Sequence, residues 1–131
     1  MRKGFTLMEV VIVLAIIAIL GAVVIPSFLG YTDRARLRSD IQSTRVVQGA
    51  MDLYRAEVGR DVGASNATVA GMLEELTDAG YLDNLPVLQT EGAVWVYANT
   101  TRKIRIDIDK CSDGVKNVQL SDIEKTYVDI S

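Results

Sequence analysis

The chain has 131 residues, with 14 Lys and Arg against 17 Asp and Glu, no His and one Cys, for a formal net charge of −3. The lack of His removes the commonest general base and metal ligand, the lone Cys111 rules out an intrachain disulfide, and the acidic balance argues against nucleic-acid binding, which needs a positive footprint. The mean hydropathy of +0.20 comes largely from one N-terminal stretch, which leaves about 100 residues for one small domain with one core.

Residues 1–4, Met1-Arg2-Lys3-Gly4, form a short basic stub, and residues 5–32 follow as FTLMEVVIVLAIIAILGAVVIPSFLGYT. No residue from position 10 to position 32 is charged. At ~1.5 Å of rise per residue, a helix of that length spans the roughly 30 Å hydrocarbon core of a bilayer. Arg2 and Lys3 place the N-terminus in the cytoplasm and everything after Tyr31 outside. In an ordinary secretory signal the apolar run precedes the cleavage site and is discarded with it. Here the small residue Gly4 stands in front of the run, so a cut after Gly4 keeps the run in the mature chain. Glu9, the one charge inside its front edge, costs on the order of 2.5–3.5 kcal/mol at the centre of a membrane helix and less near the interface. A plain anchor gains nothing from it.

The string KGFTLMEVVIVLAIIAILGAVVIPSF resembles the N-terminal class III signal of type IV pilins and the related pseudopilins. A short basic leader, Gly before Phe, Glu at the fifth position of the mature chain and Pro late in the apolar run carry the resemblance. It covers about the first 30 residues closely and the helix after them loosely. It implies that a prepilin peptidase/methyltransferase cuts between Gly4 and Phe5 and that the new Phe5 amino group is methylated. It also implies an inner-membrane subunit that an assembly platform and its ATPase draw into a helical homopolymer on the cell surface. In such a filament a buried carboxylate needs a cation, and each processed chain supplies one as the Phe5 ammonium. Glu9 of one subunit is therefore expected to pair with the N-terminus of a neighbour and to fix register. Pro26 lacks an N–H and clashes with the carbonyl of Ala22, so a kink or an opened turn is expected there; Gly21 and Gly30 weaken helicity further. The resemblance implies that the segment 21–26 stretches when the helix is packed. Met8 stands where the family more often has Ile or Leu, a volume-conserving change.

Past the membrane, Asp33-Arg34-Ala35-Arg36-Leu37-Arg38 reads as a charged, solvated exit. Leu37, Ile41, Val47, Met51, Tyr54 and Val58 then recur at helical spacing, which predicts one helix over 5–58, ended by Gly59. Its half at 33–58 lays an apolar stripe on the head, which comprises residues 33–131. Asp61-Val62 follows Gly-Arg where the family often has Tyr-Pro. Residues 61–67 read as a loop, and Asn66-Ala67-Thr68 matches a glycosylation sequon, although Asn66 or Thr68 as a helix N-cap explains it better. A second helix is predicted over 68–79, with Val69, Met72, Leu73 and Leu76 on one face and Gly80 as its stop. Tyr81, Leu82, Leu85 and Pro86 form an apolar crossover.

From Gly92 the period changes to two. Val94, Val96 and Ala98 alternate with Ala93, Trp95 and Tyr97, and after an Asn-Thr-Thr turn Ile104, Ile106 and Ile108 alternate with charged residues, which predicts a hairpin. Residues 111–114 read as a turn, Ser121 to Glu124 as a capping box, and 127–130 as a last strand. The fold class is α+β: a pilin fold with one long N-terminal helix packed on a small antiparallel sheet of three or four strands.

Nothing in the sequence points to catalysis or to a cofactor, and no Gly-rich phosphate loop follows a strand. Asp107, Asp109 and Asp113 are the calcium candidates, in a region where some pseudopilins bind calcium. Asp109-x-Cys111-x-Asp113-Gly114 mimics part of a calcium loop, but its third position is Cys and its twelfth, Leu120, is not Glu. Strand carboxylates and an Asp-Gly turn explain the same residues. Phe5, Phe28, Tyr31 and Tyr54 read as packing residues rather than a conducting path, and Cys111 as a buried free thiol. A structural pilus subunit is thus the leading reading. A pseudopilin of a type II secretion or DNA-uptake system, and a single-pass anchored binding domain, are the alternatives.

Overall fold

The computed structural model describes residues 4–63 and 68–129. Two units, divided between Thr32 and Asp33, make up the chain. Helix α1 (Leu7–Val58, 52 residues) contributes to both. Glu9 in its first turn and Arg55 in its last complement the helix dipole. It is helical through Gly21 and Pro26, and it ends at Gly59, whose φ of +78° suits glycine and whose N–H donates to the Arg55 carbonyl at 2.9 Å.

In the second unit, α1 is followed by α2 (Val69–Asp78), β1 (Val94–Ala98), β2 (Lys103–Asp107), α3 (Asp113–Lys116), α4 (Asp122–Lys125) and β3 (Val128–Asp129). Thr68 caps α2 by accepting the Gly71 N–H, and Met72, Leu73 and Leu76 form its buried face. Asn66 and Ile130 lie outside the described residues. The hairpin forms as expected, with Trp95 opposite Ile106 and Tyr97 opposite Ile104. On β1 it is Trp95 and Tyr97 that pack on the core, while Val94 and Val96 stay exposed.

Two local expectations are corrected. β3 pairs parallel to β2, so the order β1-β2-β3 is only partly antiparallel. A parallel partner requires a crossover, and α3 and α4 supply it. The turn expected at 111–114 is instead the entry to α3, with Ser112 as its N-cap. The Ser121/Glu124 capping box forms in both directions at the start of α4.

Two apolar clusters fill the head. Val47, Met51 and Tyr54 of α1 pack with Met72, Leu73, Leu76, Leu82 and Ile104. Leu37 and Ile41 pack with Ile106, Ile108, Cys111, Val115, Val118 and Val128. Trp95 touches both clusters.

A polar row at i, i+4, i+8 runs beside that apolar stripe. Asp40, 1% exposed, accepts the backbone N–H groups of Gln89 and Thr90, each at 2.8 Å. Thr44 accepts the Trp95 indole N–H at 3.0 Å and donates to the Asp40 carbonyl at 2.8 Å. The Gln48 side-chain oxygen accepts the Ile104 N–H at 3.0 Å. These three residues fasten loop, strand β1 and strand β2 to α1 in turn: Asp40 and Gln48 satisfy backbone donors, and Thr44 the Trp95 indole.

Near the C-terminal end of α1, Glu75 accepts the Tyr54 hydroxyl at 2.5 Å, the Arg60 guanidinium at 2.8 Å and the Gly63 N–H at 2.9 Å. The Tyr54 hydroxyl, then the Gly63 N–H, hold the Glu75 carboxyl below the usual glutamate value, and the same bond raises the Tyr54 hydroxyl. Tyr81 meets Tyr54 edge-on at 5.3 Å, and Arg55 pairs with Asp61.

Candidate assembly site

The first unit carries every processing and assembly residue singled out above except Arg2 and Lys3, which lie outside the described residues. Gly4, Phe5 and Thr6 precede α1 and are not helical. Thr6 is the N-cap: its Oγ1 accepts the Glu9 N–H at 3.3 Å, and its carbonyl accepts the N–H groups of Glu9 and Val10 at 3.1 and 3.3 Å. The spacing Thr6-Leu7-Met8-Glu9 is that of a capping box, a signal that the hydrophobicity of the stretch conceals.

Within the unit, every large apolar side chain described from Phe5 to Tyr31 is exposed, from 47% at Val10 to 84% at Leu7. The apolar surface runs all round the helix rather than along one stripe. Water tolerates exposed apolar patches of only a few hundred Å², and a helix apolar on every side is a buried or membrane helix. α1 is long and apolar enough to cross a membrane.

Glu9 and Phe5 line one shallow groove of about 240 Å³ with Val10, Val13 and Leu14. Among the described residues the Glu9 carboxylate has no hydrogen-bond or ion-pair partner, whereas its N–H is held by Thr6. A Cβ at Gly21 would meet nothing within 4 Å, so among the described residues no contact requires glycine there. The side chain of Pro26 is outside the description.

The head holds the remaining candidates. Asp107 Oδ1 accepts the Asp109 N–H at 2.8 Å, and Asp113 opens α3. Among the described residues, no group of three or more His, Cys, Asp or Glu could hold a metal ion. Of the aromatic residues, Phe5, Phe28 and Tyr31 are exposed and Tyr54 is buried in the head core. Cys111 is a buried free thiol, pushed up in pKa first by burial and then by the Asp107 charge.

The family described as the prokaryotic N-terminal methylation motif matches residues 1–25. The type II secretion system core protein G of Aeromonas hydrophila is 29% identical over 93 residues, covering 65% of each chain. The type IV major pilin of Neisseria gonorrhoeae is 36% identical over 78 residues, 60% of this chain and 46% of the pilin. A fimbrial protein of Neisseria meningitidis is 39% identical over 72 residues, 55% of this chain and 41% of its own length. The chain thus spans less than two thirds of the length of these relatives. No solved structure matches it. The chain thus carries an N-terminal methylation motif at the front of an exposed apolar helix and is similar in sequence to secretion protein G and to type IV pilins.

Proposed function

We propose that this chain is a structural subunit of a type IV pilus filament, cut after Gly4 by a prepilin peptidase, methylated at Phe5 and polymerised through α1. The observation that carries this reading is the pairing of an uncovered apolar helix with a carboxylate, Glu9, that has no partner among the described residues. Cleavage creates an ammonium at Phe5, which lines the same groove as Glu9. In a bundle of such helices, Glu9 of one subunit takes the Phe5 ammonium of a neighbour, which satisfies both charges away from water.

Burial of α1 against other copies replaces its burial in lipid, so transfer from membrane to filament is nearly isoenergetic. An assembly platform and its ATPase drive it. The subunit spans the cytoplasmic membrane once before assembly and lies at the cell surface afterwards. Residues 21–26 form the part of α1 that stretches as helices pack. No catalysis, cofactor or metal enters this function.

A pseudopilus of a secretion system is the second reading. It is favoured by the larger share of secretion protein G that is matched, 65% against 46% of the gonococcal pilin. The test is Glu9→Ala in cells, with filaments sheared, pelleted and weighed against the wild type. Loss of filaments with normal processing is expected; an undiminished yield would remove the pairing.

A further inference from the structure

The start of α1 lies two residues beyond the Gly4–Phe5 bond, and one side chain sets that distance. Were the helix to run back through Phe5, the Phe5 carbonyl would need the Glu9 N–H, its i+4 donor. In the structure Thr6 takes that donor twice, through Oγ1 at 3.3 Å and through its carbonyl at 3.1 Å. Phe5 and Gly4 are therefore left outside the helix, although the apolar run that continues from them would otherwise favour propagation.

We propose that Thr6 is a positioning residue for processing: by capping α1 at Glu9 it keeps the Gly4–Phe5 bond in non-helical backbone, where a peptidase can engage it. This rests on the reading that the chain is cut after Gly4. The cut adds one water across the amide, leaving a carboxylate on Gly4 and an ammonium on Phe5. A peptidase that binds its substrate through backbone hydrogen bonds needs free N–H and C=O groups on both sides of the bond. A helix starting at Gly4 would engage those carbonyls internally. Thr6 thus acts on the substrate side, before Glu9 acts in assembly, and it engages Glu9 through the backbone N–H and not through the carboxylate.

The test uses the full chain in lipid vesicles with a purified prepilin peptidase, comparing wild type with Thr6→Val, Thr6→Ser and Thr6→Asn. Cleavage is followed by mass, and the backbone state of Phe5 by the carbon chemical shifts of labelled protein. Thr6→Val keeps the shape and removes the hydroxyl. It is expected to move the Phe5 shifts toward helix and to slow cleavage about fivefold, the factor carried by the loss of one N-cap. Ser and Asn, which cap, are expected to retain the wild-type rate and shifts. Cleavage of Thr6→Val at the wild-type rate would overturn the proposal. So would slow cleavage with unchanged Phe5 shifts, since the peptidase would then be reading the hydroxyl directly. A wild-type chain left uncut would instead bring down the processing reading itself.

Discussion

Asp40 is the residue on which attachment of the 89–90 loop to α1 depends most. It is 1% exposed and accepts two backbone N–H groups, from Gln89 and Thr90, at 2.8 Å each. Hydrogen bonds to a charged group contribute about 1.5–3 kcal/mol each, and a buried donor left without a partner costs ~1–3 kcal/mol. Asp40→Ala strands both donors at once, so a loss of about 3–5 kcal/mol is expected, a large part of the ~5–15 kcal/mol that holds a domain folded. Asp40→Asn keeps one acceptor oxygen and turns an NH₂ toward the other N–H, so roughly half that loss is expected. Urea unfolding of the full chain in mild detergent measures both, with fluorescence of the single tryptophan, Trp95, as the signal. Trp95 is a local reporter because its indole N–H donates to Thr44, the next residue along the polar row. An Asp40→Ala protein within about 0.5 kcal/mol of the wild type would refute the reasoning, since surface changes alone stay inside that range.

Four further outcomes follow from the same structure. Gly92→Ala would set a Cβ 2.6 Å from the Lys110 carbonyl oxygen at a φ of +83°, whereas Gly80→Ala, at φ +80°, would meet nothing within 4 Å. Gly80→Ala should therefore cost only the left-handed penalty of ~1–2 kcal/mol, and Gly92→Ala distinctly more in the same unfolding assay; equal costs would contradict the close approach. Glu75 is held below the ordinary value near 4.5, so its contribution to stability is complete above that value and is lost as pH falls through its folded-state value. Melting temperature measured from pH 6 downward should fall less steeply in Glu75→Gln than in the wild type, and parallel curves would discount the Tyr54, Gly63 and Arg60 contacts. The Cys111 thiol, buried and raised in pKa, should react with a thiol reagent only after denaturant is added; rapid native labelling would show it exposed. Calcium titration by calorimetry should give no saturable heat and no rise in melting temperature, because Asp107 is committed to its own turn; a saturable heat would reinstate Asp107, Asp109 and Asp113 as ligands.

Much of this architecture is legible in the sequence because its signals are local. The apolar run needs only length and composition, and the stripe Leu37–Ile41–Met51–Tyr54 needs only a period of 3.6. Gly59 and Gly80 terminate helices where expected, at φ values of +78° and +80°. What composition hid is polar and long-range. Asp40, Thr44 and Gln48 lie four apart beside the apolar stripe, yet their partners are 49 to 56 residues away, beyond any periodicity argument. The parallel seat of β3 depends equally on a crossover through two one-turn helices, which no alternation pattern encodes. On β1 both faces carry apolar residues, so alternation alone did not say that Trp95 and Tyr97 turn inward. Around the helix start the sequence singled out Gly4, Phe5 and Glu9 but passed over Thr6, whose hydroxyl shows its hydrogen bond only once the first residue of α1 is located.

The central claim is that this chain is a processed filament subunit, and the most direct test is mass spectrometry of the N-terminal peptide from filaments sheared off intact cells. The expected result is a peptide beginning at Phe5 with one added methyl group on its amino nitrogen. A peptide that still begins at Met1 would contradict the account.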